Sequence, residues 1–145
     1  MLSQKAKYAL KAMIALASQE DGNLLQAAEI AEGQNVPRKF LELILLDLRK
    51  HGYVRSQRGK LGGYALAKPA DAITFGQIIR LIDGPLASIP CASLTGYRRC
   101  ADCRDEKSCA VRKTMREVRD AAAAILDGMT LASALGADAR ALDLN

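Results

Sequence analysis

The hydrophobic period of this chain switches from helical to strand-like at Gly52, and that switch limits the fold more than any other feature. Before it, Phe40, Leu41, Ile44, Leu45 and Leu48 fall on one side of a helix that opens with Pro37 and runs through Arg49. Gly52 can cap its end, and the lone His51 beside it suits a helix C-terminus better than catalysis. Beyond Gly52 the period drops to two. Tyr53-Val54-Arg55-Ser56 and Gly63-Tyr64-Ala65-Leu66 read as two short strands. Between them lies a basic, glycine-punctuated tip, Gln57-Arg58-Gly59-Lys60-Leu61-Gly62.

The flanking segments are helical. Residues 3–18 form a helix with Ser3 as N-cap and Ala6, Ala9, Leu10, Met13, Ile14 and Ala17 on one stripe, ended by Glu20-Asp21-Gly22-Asn23. Residues 25–32 form a short second helix stopped by Gly33. After Pro69 closes the second strand, Thr74 caps a fourth helix whose apolar side is Ile78, Ile79, Leu81 and Ile82, ended by Gly84. A loop holding all four cysteines follows, then a long helix from about residue 107 to 126. Along it Val111, Met115, Val118, Ala122, Ile125 and Met129 step alternately by four and three, a heptad-like seam. It is too short for an independent coiled coil, so it packs on its own domain or on a second copy. Val111, Met115, Val118, Ala122 and Ile125 are the candidate dimer interface. Gly128 stops the helix, and a short turn over 130–135 precedes a loose tail. The expected organisation is therefore 1–84, a helical domain with a hairpin; 85–109, a cysteine loop; 107–128, a dimerisation helix; and 129–145, a turn and tail. The fold class is mainly α with a small β-hairpin.

The net charge of the 145-residue chain is +5, and its distribution says more than its size. Residues 1–68 hold eleven Lys and Arg against six Asp and Glu; residues 69–145 hold ten of each. The excess sits within 36–60, as Arg38, Lys39, Arg49, Lys50, Arg55, Arg58 and Lys60 against Glu42 and Asp47. A focus of this kind points to a polyanionic partner, although a solvated basic face gives the same pattern. Half the residues are apolar, so a core can form without tryptophan. No signal peptide or membrane span is visible, since Lys5, Lys7 and Lys11 interrupt the opening apolar stretch. A cytoplasmic protein with no membrane role is expected, and its thiols should be reduced. There is no Ser/His/Asp set, no paired carboxylate in a plausible cleft and no GxxxxGK[ST] phosphate loop, so an enzyme is not expected.

Helix, short helix, helix and hairpin, with the charge on the third helix and the tip, describe a winged helix-turn-helix followed by a long dimerisation helix. In that geometry the third helix enters the major groove N-terminus first. Arg38 and Lys39 then meet phosphates near the helix dipole. Glu42 can accept from a cytosine amino group. Leu43 and Leu46 are either thymine-methyl contacts or core. Arg58 is a candidate minor-groove arginine, with Gly59, Lys60, Gly62 and Gly63 bringing the backbone close to phosphate. An ordinary charged hairpin, or a winged-helix module that binds protein, remains an alternative.

The four cysteines are spaced C-x8-C-x2-C-x5-C as Cys91, Cys100, Cys103 and Cys109. Four thiolates in one loop suit an iron–sulfur cluster or zinc. Only Cys100 and Cys103 form the tight pair of a zinc knuckle. A cluster-free thiol switch, a vestigial loop and a small electron carrier are the other readings, the last leaving the basic half unexplained. Arg98, Arg99, Arg104 and Lys107 surround the thiols, and Cys109 opens the long helix; both favour thiolates.

Lys7-Tyr8-Ala9-Leu10, Phe40-Leu41-Glu42, Leu48-Arg49-Lys50-His51-Gly52, Val54, Ser56, Arg58-Gly59 and Gly62-Gly63-Tyr64-Ala65-Leu66, followed by the cysteine loop and long helix, resemble the Rrf2 family of bacterial winged-helix regulators. The resemblance spans nearly the whole chain. It implies a homodimeric DNA-binding repressor or activator on a palindromic double-stranded operator. It also implies that Glu42 tunes site choice, that Arg58 enters the minor groove and that Ser56 contacts DNA. The family pattern has three cysteines, matched by Cys91, Cys103 and Cys109. Its usual histidine three residues after the last cysteine is Arg112 here, and the position of an aspartate ligand in other members corresponds to Lys7. Cys100 is then the expected fourth ligand of a [2Fe–2S] or [4Fe–4S] cluster, which a given preparation can lack.

Overall fold

The computed structural model describes residues 2–20 and 22–142. Asp21 of the expected acidic turn and the last three residues of the expected tail lie outside them. The chain is mainly helical with one two-stranded antiparallel hairpin, as its periodicity requires. In order the elements are α1 (Gln4–Ala17), α2 (Ala27–Gln34), α3 (Arg38–Lys50), β1 (Val54–Gln57), β2 (Gly63–Leu66), α4 (Phe75–Asp83), α5 (Ala110–Gly128) and α6 (Leu131–Leu142). Short 3-10 turns lie at Ala70–Ala72 and Pro90–Ala92.

The core lies beneath α3. Leu41, Ile44, Leu45 and Leu48 pack with Met13, Ile30, Ile73, Ile78 and Leu131, all fully buried. Lys5 bonds Asp47 at 2.8 Å and Lys11 bonds the carbonyl of Gln34 at 2.8 Å, so α1 also pins the two helices of the helix-turn-helix. The caps behave as their sequences indicate. The Ser3 hydroxyl accepts from the Ala6 amide, and Thr74 and Gln77 form a reciprocal box at the start of α4.

Three local expectations are corrected. The second helix spans 27–34, so Gly33 lies inside it, and Asn35 (φ 52°) supplies the left-handed cap. Leu25 is not helical: its N–H and C=O pair with Tyr64 at 2.9 and 2.7 Å, adding a one-residue antiparallel bridge to the outer edge of β2. The expected turn and tail after residue 129 are instead largely α6. Thr130 and Ser133 cap it reciprocally, and Leu131 is buried in the core, with its amide on the Ile73 carbonyl at 2.9 Å. Among the described residues, no helix is long and apolar enough to cross a membrane.

Candidate functional site: a basic reading face and a cysteine cleft

Every side chain expected to read DNA lies on the solvent side of α3 or on the hairpin. Arg38, Lys39, Glu42, Leu43, Leu46, Arg49 and Lys50 form one exposed helix face. Leu43, at 60% exposure, is not core, and Leu46 is exposed beside it. Glu42 is ion-paired to Arg38 one turn earlier at 3.1 Å, so its carboxylate is held by a neighbour rather than free. At the other end, the guanidinium of Arg49 donates to the hydroxyl of Ser56 at 2.9 Å, tying α3 to β1.

The hairpin is built to hold its tip. Val54 pairs with Leu66 and Gln57 with Gly63. The amide of Gly62 bonds the Gly59 carbonyl at 3.0 Å, closing a turn that presents Arg58, Lys60 and Leu61 to solvent. A Cβ on Gly62 would meet the Gln57 carbonyl oxygen at 2.0 Å. Gly63 (φ 150°) lies against Leu25 in the same way. Sequence reasoning missed the Gln26 side chain, which donates to the carbonyl of Lys60 at 3.2 Å and ties the tip to the start of α2.

All four cysteines line one cleft of about 410 Å3, bounded by the Pro90–Ala92 turn, the loop and the first turn of α5. Cys91 is buried and the other three are half-buried, and all are free thiols. The Cys100 thiol donates to the sulfur of Cys91 at 3.5 Å. Cys109 caps α5, its sulfur accepting from the amide of Arg112 at 3.4 Å. The turn carrying Cys91 is gripped by α5. Arg112 donates to the Cys91 carbonyl at 2.9 Å, and Arg119, seven residues on, donates to the Ala92 carbonyl. Arg119 is only 8% exposed and keeps its charge paired with Asp120 at 2.6 Å. Arg112, at the position corresponding to the family's histidine ligand, thus serves as a brace.

The electrostatics of the cleft differ from the expectation. Arg104 lines it, but Arg99 spends its guanidinium on the carbonyls of Cys103 and Arg104, and Asp102 and Asp105 also line the wall. The Cys100 thiol is accordingly pushed up from its ordinary value, first by its bond to Cys91, then by burial and by the charges of Cys91 and Asp102. The donor chemistry suits a thiolate-bound group. The 3.5 Å sulfur spacing is near the roughly 3.8 Å expected for two thiolates on one tetrahedral metal with bonds of about 2.3 Å. Among the described residues, no three His, Cys, Asp or Glu converge on a single-ion site.

The expected dimer seam is open. Val111, Val118 and Ile125 are 61%, 48% and 69% exposed, with Met115 and Ala122 half-buried between them. The opposite side of α5 packs on α4 and on the Pro90–Ala92 turn, and Arg80 makes a bidentate pair with Asp127 at 2.6 and 2.9 Å.

Residues 2–136 match the family model described as Rrf2, iron-dependent transcriptional regulator. An rrf2-like HTH-type transcriptional regulator of Rhodobacter capsulatus is 44% identical over 140 residues, covering 94% of this chain and 93% of that protein. CymR, the global cysteine regulator of B. subtilis, superimposes with a TM-score of 0.75 at 34% identity, covering 90% of this chain and 92% of its own. T. potens IscR gives a TM-score of 0.75 at 28% identity, with 95% and 88% covered.

Proposed function

The chain belongs to the Rrf2 family of transcriptional regulators, which are not enzymes, and from that premise we propose a homodimeric, cytoplasmic regulator whose hold on a palindromic DNA operator is set by an iron–sulfur cluster on Cys91, Cys100, Cys103 and Cys109. The observation that carries the reading is the convergence of all four thiols on one cleft at the start of α5. The spacing favours a cluster over zinc, since only Cys100 and Cys103 form the tight pair of a zinc knuckle. The iron dependence in the family's description supports the same choice. When bound, a [2Fe–2S] or [4Fe–4S] cluster supplies iron–thiolate bonds that are sensitive to redox state, iron supply or nitric oxide. A cluster-free thiol switch of the same fold is the second reading, favoured by the Cys91–Cys100 contact.

The protein's own residues connect that cleft to DNA. Cys109 caps α5, and Arg112 and Arg119 of α5 hold the turn that carries Cys91. Ligand positions in the cleft therefore bear on the setting of α5. The exposed seam of α5 packs against a second copy, and its setting fixes the separation of the two α3 helices. Half-sites one turn apart require about 34 Å. On each half-site Arg38 and Lys39 take phosphates, and Leu43 meets a thymine methyl. Glu42 reads a cytosine amino group after releasing Arg38. Ser56, Gly59 and Lys60 approach the backbone while Arg58 enters the narrow minor groove.

The test is the absorption spectrum of anaerobically purified protein with iron and sulfide counts, repeated for Cys100→Ala. The expected outcome is a coloured protein with stoichiometric iron and sulfide, and loss of that cluster in the variant. Colourless protein with stoichiometric zinc overturns the cluster. A variant with an unchanged cluster removes Cys100 from the ligand set.

A further inference from the structure

We infer that Cys91 and Cys100 form a reversible disulfide when the cleft holds no metal, and that this bond is a second, oxidised state of the sensor. Among the described residues theirs is the one sulfur–sulfur hydrogen bond, at 3.5 Å. The backbone is already shaped for the bond. The amide of Arg98 donates to the carbonyl of Pro90 at 3.2 Å, so the residues flanking the two cysteines are paired before any oxidation. Pro90 also accepts from Ser93 at 3.2 Å, which keeps Cys91 inside a tight turn. The loop to be closed is short and closed beforehand, so little chain entropy is lost. The sulfurs need to approach by about 1.5 Å to reach the usual S–S length of about 2.05 Å.

The half-buried Cys100 opens onto the cleft and gives an oxidant access, while Cys91 is buried beneath it. With hydrogen peroxide as oxidant the step balances. One thiolate attacks the peroxide, leaving a sulfenic acid and hydroxide. The other sulfur displaces the sulfenic hydroxide, forming the S–S bond. The two thiol protons carry both oxygens away as water. In a reducing compartment such a bond is transient and serves as a record of oxidation.

The consequence, which alone rests on the cluster reading, is exclusion. Two of four donors are consumed, so oxidised protein cannot be loaded until a thiol reductant reopens the pair. Cys100, the cysteine absent from the family's three-cysteine pattern, is then both a ligand and the latch that blocks loading.

Full-length protein stripped of metal, with iron measured as absent, is treated with equimolar hydrogen peroxide, alkylated and digested with trypsin. The expected result is loss of two of four free thiols, a chain lighter by two hydrogens, and peptide 81–98 joined to peptide 100–104. Because the second peptide also carries Cys103, Cys103→Ser must keep the link and Cys100→Ser must lose it, each with an unchanged thermal unfolding curve. Four alkylated thiols, or a link through Cys103 or Cys109, overturns the inference. Fragmentation of the wild-type linked peptide, in which the alkyl label must sit on Cys103, decides the matter even where a variant fails to fold. Reconstitution with iron and sulfide separates the two claims. A disulfide without any cluster in reduced protein leaves this inference standing and sinks the cluster; a cluster without the disulfide does the reverse.

Discussion

The helices around α3 and the cysteine segment before α5 are held in place by different forces. Beneath α3, large side chains such as Leu41, Ile44, Leu45 and Leu48 are fully buried, and this packing needs no ligand. From Pro85 to Cys109 the buried residues are Cys91, Ala92 and Ser93, and the segment has no regular structure beyond one short turn. Directional bonds hold it instead: Arg112 and Arg119 on two carbonyls, Tyr97 on Glu106, and one thiol on another. Apolar packing is indifferent to iron and oxidants, whereas a segment held by thiols and carbonyls is the part on which the proposed cluster would act. In the proposed reading the molecule joins a fixed reading head to a responsive loop, with α5 linked to that loop through Arg112 and Arg119.

Four measurements can break or sharpen that contrast. Leu45→Ala is expected to lower the unfolding free energy by about 2–5 kcal/mol in denaturant titration. A loss below about 1 kcal/mol would mean that the reading head does not rest on its packing. Arg119→Ala removes a buried donor and should cost about 2 kcal/mol. Its effect should be local, with faster amide exchange around residues 90–93 and unchanged exchange in α3. Uniform acceleration would show that the loop and head are one unit. Arg58→Ala should leave stability alone but weaken operator binding on the order of tenfold, about 1.4 kcal/mol, most at A·T-rich sites. Unchanged affinity would remove the wing from the interface.

The smallest effect belongs to Asp127→Asn. The Arg80 guanidinium bonds the Asp127 carboxylate and holds its pKa below the ordinary 3.8. A lowered carboxylate pKa contributes stability that is present above 3.8 and lost as pH falls through the lower native value. Both side chains are more than a third exposed, so the pair is worth less than about 1 kcal/mol. The variant's deficit should be seen at neutral pH and vanish in acid titration.

The legibility of the sequence follows the same divide. Period and capping residues located α1, α3, the hairpin and α4, because packing and caps leave a trace every two or four residues. The bridge of Leu25 leaves no local trace, because its partner, Tyr64, lies 39 positions away and only the fold brings them together. The helix after Thr130 left a readable signal, a Thr and a Ser three apart on either side of a buried leucine, but Gly136 inside it argues for a turn. In the cysteine segment, spacing singled out the four thiols and could not arrange them. The Cys91–Cys100 contact, the Arg112 brace and the acidic wall at Asp102 and Asp105 depend on an aperiodic path that no local pattern encodes.

The central claim is that the occupancy of the cysteine cleft sets the hold on DNA. Its most direct test is operator affinity for cluster-loaded and cluster-free protein at one fixed salt concentration. The structure's coupling of Cys91 to α5 predicts affinities that differ by about tenfold or more. Equal affinities on every family-like operator would contradict it.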